Sequence, residues 1–202
     1  MSHNCFISFK KEDSKYKDEI IKVLGLERIQ GKALDKWIDS DDIDYVMQVI
    51  RNEYMSNTSV TIFLIGEHSS EEEGYDINGD KNAFIKRELQ ASLYDGKGFS
   101  RNGLLGIVLP SMESKIYKGD YVCSTCGDKH SWVDISDKTV IKEFSANYYL
   151  KKDCGCCYTE NGRFCVLVRY KDFLLEPDKY IEMAYNKLNM PICNSVHWRD
   201  LR

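Results

Sequence analysis

No part of the chain approaches the about 18 consecutive apolar residues that a membrane-spanning helix needs, which excludes a helical integral membrane protein. No cationic start followed by an apolar stretch is present either. Met1-Ser2-His3-Asn4 runs straight into a strand-like segment, so no secretory signal is read and a cytoplasmic location is expected. Basic residues are not in excess: 28 Lys and Arg against 32 Asp and Glu give a net charge of -4. That balance lacks the cationic footprint of a nucleic-acid binder, so neither membrane nor nucleic acid is an expected partner. Only 3 prolines and 13 glycines in 202 residues argue against a disordered or low-complexity chain. What remains is a chain long enough for one domain with a sizeable core, read as a single domain over residues 1–202.

The apolar residues fall into short blocks. Asn4–Phe9 (NCFISF), Val60–Ile65 (VTIFLI), Leu104–Leu109 (LLGIVL) and Phe164–Val168 (FCVLV) have the length and β-branched or aromatic content of buried strands. Between them lie helical patterns at Ser14–Leu24, after Asp41 or Asp42 (Ile43, Val46, Met47, Ile50 and Tyr54 on one face), and from about Lys81 to Leu93. Pro177–Leu188 closes the series, with proline at a helix start, where its missing N–H is harmless. Leu34–Ile38 is a further candidate strand. Continuous apolar strands alternating with helices predict an α/β fold with a parallel sheet covered on both faces, a three-layer sandwich. Ser111–Arg163 interrupts the alternation and is read as a cysteine-rich insertion before the last strand.

That insertion holds five of the eight cysteines. In a reducing compartment, thiols at such spacings serve as metal ligands or are simply buried, rather than paired. Cys123 and Cys126 form one Cys-x-x-Cys, and Cys154 and Cys157 a second, the usual ligand set of a structural zinc. The 27 residues between the pairs exceed the about 15–20 of common zinc ribbons. Cys156 and His130 compete as ligands, and a set of reduced thiols is the alternative. Cys5 and Cys165 sit inside strand runs and read as core.

In an open parallel sheet, ligands bind beyond the carboxyl ends of the strands. Two such ends are rich in chemistry. One is Ser8-Phe9-Lys10-Lys11-Glu12-Asp13. The other is Gly66-Glu67-His68-Ser69-Ser70, which runs through an acidic loop (Glu71, Glu72, Glu73, Asp76, Asp80) into Ala83-Phe84-Ile85-Lys86-Arg87-Glu88-Leu89. Taken alone, Glu88 reads as a solvated helix charge with Phe84 and Ile85 facing the core, and His68 as a loop residue rather than a base.

The ordered set FISFKKED, TIFLIGEHS, AFIKREL, VLVRYKDF and YIEMAYNK resembles the TIR-like domains of the bacterial Thoeris antiphage family, over the whole framework except the cysteine-rich insertion. The resemblance implies a flavodoxin-like, TIR-type fold. It also implies cleavage of NAD+ at the nicotinamide bond, with NAD+ as substrate and Glu88 as catalytic residue. Phe84, four residues earlier and so on the same helix face, would wall the substrate pocket, and Ser8, Phe9 and Lys10 would hold ribose or phosphate. Many TIR enzymes carry Trp where Phe84 stands and Ser where Asn82 stands. One carboxylate suits this chemistry: nicotinamide leaves as a neutral molecule from a cationic nucleotide, so no general acid is required, unlike ordinary glycosides. An anion near the ribose would stabilise the oxocarbenium-like transition state.

Further implications are an ADP-ribose-derived second messenger, a downstream effector reached through that signal, a phage-derived trigger and a homo-oligomer. Glu67–Asp80 is a candidate lid over the crevice. Two rival functions remain: a non-catalytic TIR assembly module, and a nucleoside hydrolase or transferase.

Overall fold

A computed structural model describes residues 3–71, 83–152 and 155–199. The elements run in the order β1 (Cys5–Ser8), α1 (Ser14–Leu24), α2 (Ile43–Glu53), β2 (Val60–Ile65), α3 (Ala83–Leu93), β3 (Gly103–Val108) and α4 (Glu113–Ile116). They continue with β4 (Tyr117–Val122), β5 (Lys129–Val133), α5 (Lys142–Tyr148), β6 (Val166–Arg169), α6 (Tyr170–Leu175) and α7 (Pro177–Asn186). No described helix is long and apolar enough to cross a membrane.

Strands β1, β2, β3 and β6 form one parallel sheet in that spatial order, in register at Ser8↔Phe63, Phe63↔Gly106 and Gly106↔Leu167. Every residue of β1, β2 and β3 is buried, which is why these strands read as unbroken apolar runs and do not alternate. Successive side chains of β2 still face opposite layers. Val60, Ile62 and Leu64 pack with Ile20 and Leu24 of α1, Phe173 of α6, and Ile181 and Ala184 of α7. Phe63 and Ile65 pack with Ile85, Leu89 and Leu93 of α3 and with Phe144 of α5. The α/β three-layer sandwich expected from the sequence is therefore the fold.

Two details correct that reading. No strand forms at Leu34–Ile38; the residue that pairs beside β1 is Ile29, in one parallel bridge to Cys5, and Gln30 N–H donates to the Cys5 carbonyl. Gly31, at φ 83, then turns the chain away. Nor is 111–163 an addition throughout. Within it α5 serves as the crossover helix between β3 and β6, sending Phe144 and Tyr148 into the core beside Val140 and Ile141, which lead into it. The same stretch also carries the antiparallel hairpin β4–β5, paired from Tyr117↔Val133 to Val122↔Lys129, outside the parallel sheet.

The candidate N-cap of α2 resolves to Asp42, whose carboxylate accepts from Tyr45 N–H at 3.1 Å. A buried polar strip locks α3 to the sheet. Arg51 donates to Asn102 (2.8 Å), which donates to Thr58 (2.9 Å) and Thr61 (3.0 Å). Thr61 pairs with Ser92 (2.7 Å), and Ser92 donates to the Glu88 carbonyl (2.8 Å). On the opposite face the backbone of α7 comes so close to β3 that a Cβ on Gly103 would lie 2.2 Å from the Ala184 carbonyl oxygen. Gly103→Ala must push α7 outward, an overpacking of about 1–3 kcal/mol. Thermal unfolding should show the melting temperature lowered by several degrees; an unchanged melting temperature would contradict this packing.

Candidate active site

The carboxyl end of β1 meets the middle of α3. Side chains alternate along β1, so Phe6 packs with α2 and Tyr94, whereas Cys5 and Ile7 pack with the α1 layer. Ser8 falls on the α3 side. Its hydroxyl donates to Glu88 Oε2 at 2.6 Å. The other carboxyl oxygen, Oε1, accepts the backbone N–H of Leu34 at 2.7 Å. Leu34 lies in the irregular segment between the Ile29 bridge and α2, and its side chain is anchored among Phe6, Val46, Met47 and Ile50.

Glu88 is 2% exposed. It is thus not the solvated helix charge that its neighbours Lys86 and Arg87 would suggest. Burial pushes its carboxyl from the usual 4.5 up to about 7, while the Ser8 and Leu34 hydrogen bonds pull it down. Keeping this group ionised in place at higher pH costs roughly 3 kcal/mol.

Phe84, one turn earlier on α3, is 40% exposed and faces outward; Ile85 is the residue of that turn that enters the core. The Phe84 ring lies 6.5 Å from that of Trp37, itself 53% exposed. The Arg87 guanidinium stacks over Trp37 at 5.3 Å and donates to Gln90. Leu34, Trp37, Ile38 and Arg87 line a narrow cleft with Val46 and Ile50. An exposed aromatic pair with a cation beside it therefore stands next to the segment that covers Glu88.

The remaining sequence candidates are placed differently. Phe9 packs with the α1 cluster, its ring 5.3 Å from the Lys17 ammonium, away from Glu88. Lys10 is half-buried and begins the turn to Asp13, accepting Asp13 N–H at its carbonyl. The Asp13 carboxylate lies against Gly66 at the end of β2, where a Cβ would approach it to 2.2 Å. Burial raises its pKa to about 6, with His68 opposing the rise. Most of the Glu67–Asp80 lid candidate, and Asn82, lie outside the described residues.

Trp37, Arg87 and the Leu34 N–H were not among the sequence candidates. A tryptophan in an otherwise polar segment (LDKWIDSDD) was the available signal for the first. A backbone donor leaves no signal in residue identity.

A second constellation sits at the hairpin. Cys123, Cys126, His130 and Cys156 place one ligand atom each within 4.8 Å of all the others. Of the four cysteines proposed as ligands from spacing, Cys123 and Cys126 belong to this group. Cys157 is not part of it, and Cys154 lies outside the described residues. A roomy cavity opens next to it, lined by Tyr121, Trp132, Tyr149, Tyr158 and Arg163 among others, remote in sequence from Ser8 and Glu88.

The model of the family described as "Thoeris protein ThsB, TIR-like domain" matches residues 6–114, just over half of the chain. No curated protein matches. The matched stretch runs from β1 through α3 to α4 and so contains Ser8, Leu34, Trp37, Phe84 and Glu88. The chain belongs to the Thoeris ThsB TIR-like domain family.

Proposed function

We propose that this chain cleaves NAD+ at the nicotinamide–ribose bond and releases an ADP-ribose-derived messenger, with Glu88 as the anion that stabilises the ribosyl cation. The observation that carries the reading is the desolvated Glu88 carboxyl held by Ser8 at the carboxyl end of β1. In the reaction the C1′–N bond breaks and its electron pair goes to the nicotinamide nitrogen. Neutral nicotinamide leaves, and positive charge develops on the ribose. A low-dielectric carboxylate interacts strongly with that charge. The same environment that makes ionisation of Glu88 costly in the free protein makes its attraction for the transition state large.

Substrate entry requires the Leu34 segment to move, because Leu34 N–H occupies one Glu88 oxygen. A ribose hydroxyl would replace it as donor. Trp37 and Phe84 offer ring faces to nicotinamide or adenine, and Arg87 offers a cation to the pyrophosphate. Exclusion of water over the oxocarbenium would let a ribose hydroxyl, a base nitrogen or a second small molecule attack it, giving a product that reaches a separate effector. Lys10 and Phe9 are assigned to the outer rim rather than to contact with Glu88. A phage-derived trigger and self-association belong to the same proposal, as the means by which the Leu34 segment is displaced. The second reading, a non-catalytic assembly module, draws on the observation that Glu88 is covered by Leu34.

Glu88→Gln keeps the shape and both hydrogen bonds, because its amide oxygen accepts from Leu34 and its NH2 donates to Ser8. Under activating conditions the variant should lose NAD+ cleavage by at least about a hundredfold while remaining folded. Protein-free filtrate from the parent, but not from the variant, should switch on the effector. Mass analysis of products, with and without infected-cell lysate, reads the first outcome. A variant as active as the parent sinks the catalytic assignment. An effector that answers only to direct contact with the protein supports the assembly reading.

The pH dependence follows from the direction of the Glu88 shift. The ionised form is the active one, so kcat/KM for NAD+ should rise with pH through about 7 and then level off. Ser8→Ala removes a donor that favours the carboxylate. It should move this limb to higher pH and lower the rate at neutral pH about tenfold. A limb that stays in place in Ser8→Ala would contradict the coupling of the two residues.

A further inference from the structure

The matched family region ends at residue 114, before the hairpin begins, so the Cys123–Cys126–His130–Cys156 group is assigned no role by it. We propose that these four residues bind one Zn2+ in a tetrahedral, structural Cys3His site. Its ligands differ from the doubled Cys-x-x-Cys set read from spacing: His130 and Cys156 replace Cys154 and Cys157.

The geometry carries the proposal. Zn–S bonds of about 2.3 Å and Zn–N bonds of about 2.0–2.1 Å place the ligand atoms of a tetrahedron about 3.5–3.8 Å apart. The distances are 3.5 Å for Cys156 Sγ to Cys126 Sγ, 3.6 Å for Cys156 Sγ to His130 Nε2 and 3.0 Å for Cys126 Sγ to His130 Nε2. Two edges already fit, and an ion would open the third by about half an ångström. All four atoms lie within 4.8 Å of one another, so Cys123 Sγ joins the same tetrahedron with a shift of no more than about 1 Å.

The local backbone is shaped for the purpose. Cys123 directly follows β4, and its N–H donates to the Asp128 carbonyl at 2.8 Å. Gly127, at φ 78, donates back to the Cys123 carbonyl at 2.9 Å. This tight turn brings Cys126 round to face Cys123. Thr125 N–H points at Cys123 Sγ (3.4 Å), as suits a thiolate that needs donors beyond its metal bond. His130 lies in β5 opposite Tyr121, its Nε2 turned to the sulfurs. The fourth ligand comes from Cys156, on the segment that leads to β6.

The consequence is mechanical. Outside the metal, the hairpin is two short strands with mostly exposed side chains, and an isolated two-stranded hairpin is marginal in water. Four protein ligands leave no open position, which distinguishes a structural from a catalytic zinc. The ion would fasten the hairpin end to the approach of β6 and fix the wall of the adjoining cavity, to which His130 and Cys156 both contribute.

The test uses the whole chain, purified without chelator. Elemental analysis should find about one zinc per chain, and X-ray absorption about three sulfurs and one nitrogen around it. Cys156→Ser and His130→Ala should weaken Zn2+ retention at least tenfold against a chromogenic chelator, and Cys157→Ser should not. Chelation should expose residues 117–133 to limited proteolysis. Protein that holds no zinc and takes up no Co2+ overturns the proposal. A four-sulfur shell, or loss of metal in Cys157→Ser with retention in Cys156→Ser, overturns the ligand set. The absorption spectrum of the unmutated chain decides the shell even if a variant fails to fold. None of these outcomes depends on NAD+ cleavage.

Discussion

The burial of one carboxyl between a strand end and a loop organises the functional half of this molecule. Glu88 is almost wholly withdrawn from water, yet both its oxygens are satisfied, by Ser8 and by the Leu34 N–H. The two bonds tie together three pieces of chain far apart in sequence: the end of β1, the loop before α2, and α3. Around them the fold supplies rigidity. The Arg51–Asn102–Thr61–Ser92 strip reaches the Glu88 carbonyl, so the helix that carries the carboxyl cannot slide without breaking buried hydrogen bonds. Leu34 is held less firmly, through side-chain packing and one N–H bond.

The division of the chain follows the same logic. Residues up to α4 build the strand ends and the helix that present Glu88, and that stretch carries the family match. Beyond it, α5 restores the layer that the alternation requires, and the hairpin is inserted between. Phe144 closes over Gly106, where a Cβ would come within 2.5 Å of its ring. The hairpin takes almost no part in that core; only Val133 and Tyr117 pack against it. It therefore needs its own source of order, and a cysteine–histidine clasp suits an element with so little apolar surface to bury.

Much of this was legible in the residues because parallel, doubly covered strands announce themselves as apolar runs. VTIFLI and LLGIVL were placed to within a residue of β2 and β3. The hairpin was not, because its exposed side chains leave no apolar periodicity. The Ile29 bridge was missed because one pair of residues is no pattern, and Leu34–Ile38 misled because its apolar residues pack onto α2 from an irregular segment. Of the site, Ser8 and Glu88 could be named from motif order, but their contact could not. The Leu34 N–H is invisible to any reading of side chains. In the cysteine region spacing named Cys123 and Cys126, which share one turn and belong to the Cys/His cluster. It offered His130 and Cys156 only as competitors of Cys154 and Cys157, because grouping in space is set by the fold and not by counting residues.

The central claim is that Glu88 is a desolvated carboxyl and that its ionisation is linked to binding of the proposed cationic substrate. Nuclear magnetic resonance of the whole chain labelled at glutamate carboxyl carbons tests it most directly, with Glu88→Gln identifying the resonance. The account predicts a Glu88 carboxyl that titrates near 7 in the free protein and moves to lower pH when NAD+ is added under activating conditions. A Glu88 carboxyl that titrates at the ordinary 4.5, or one indifferent to NAD+ under those conditions, would contradict it.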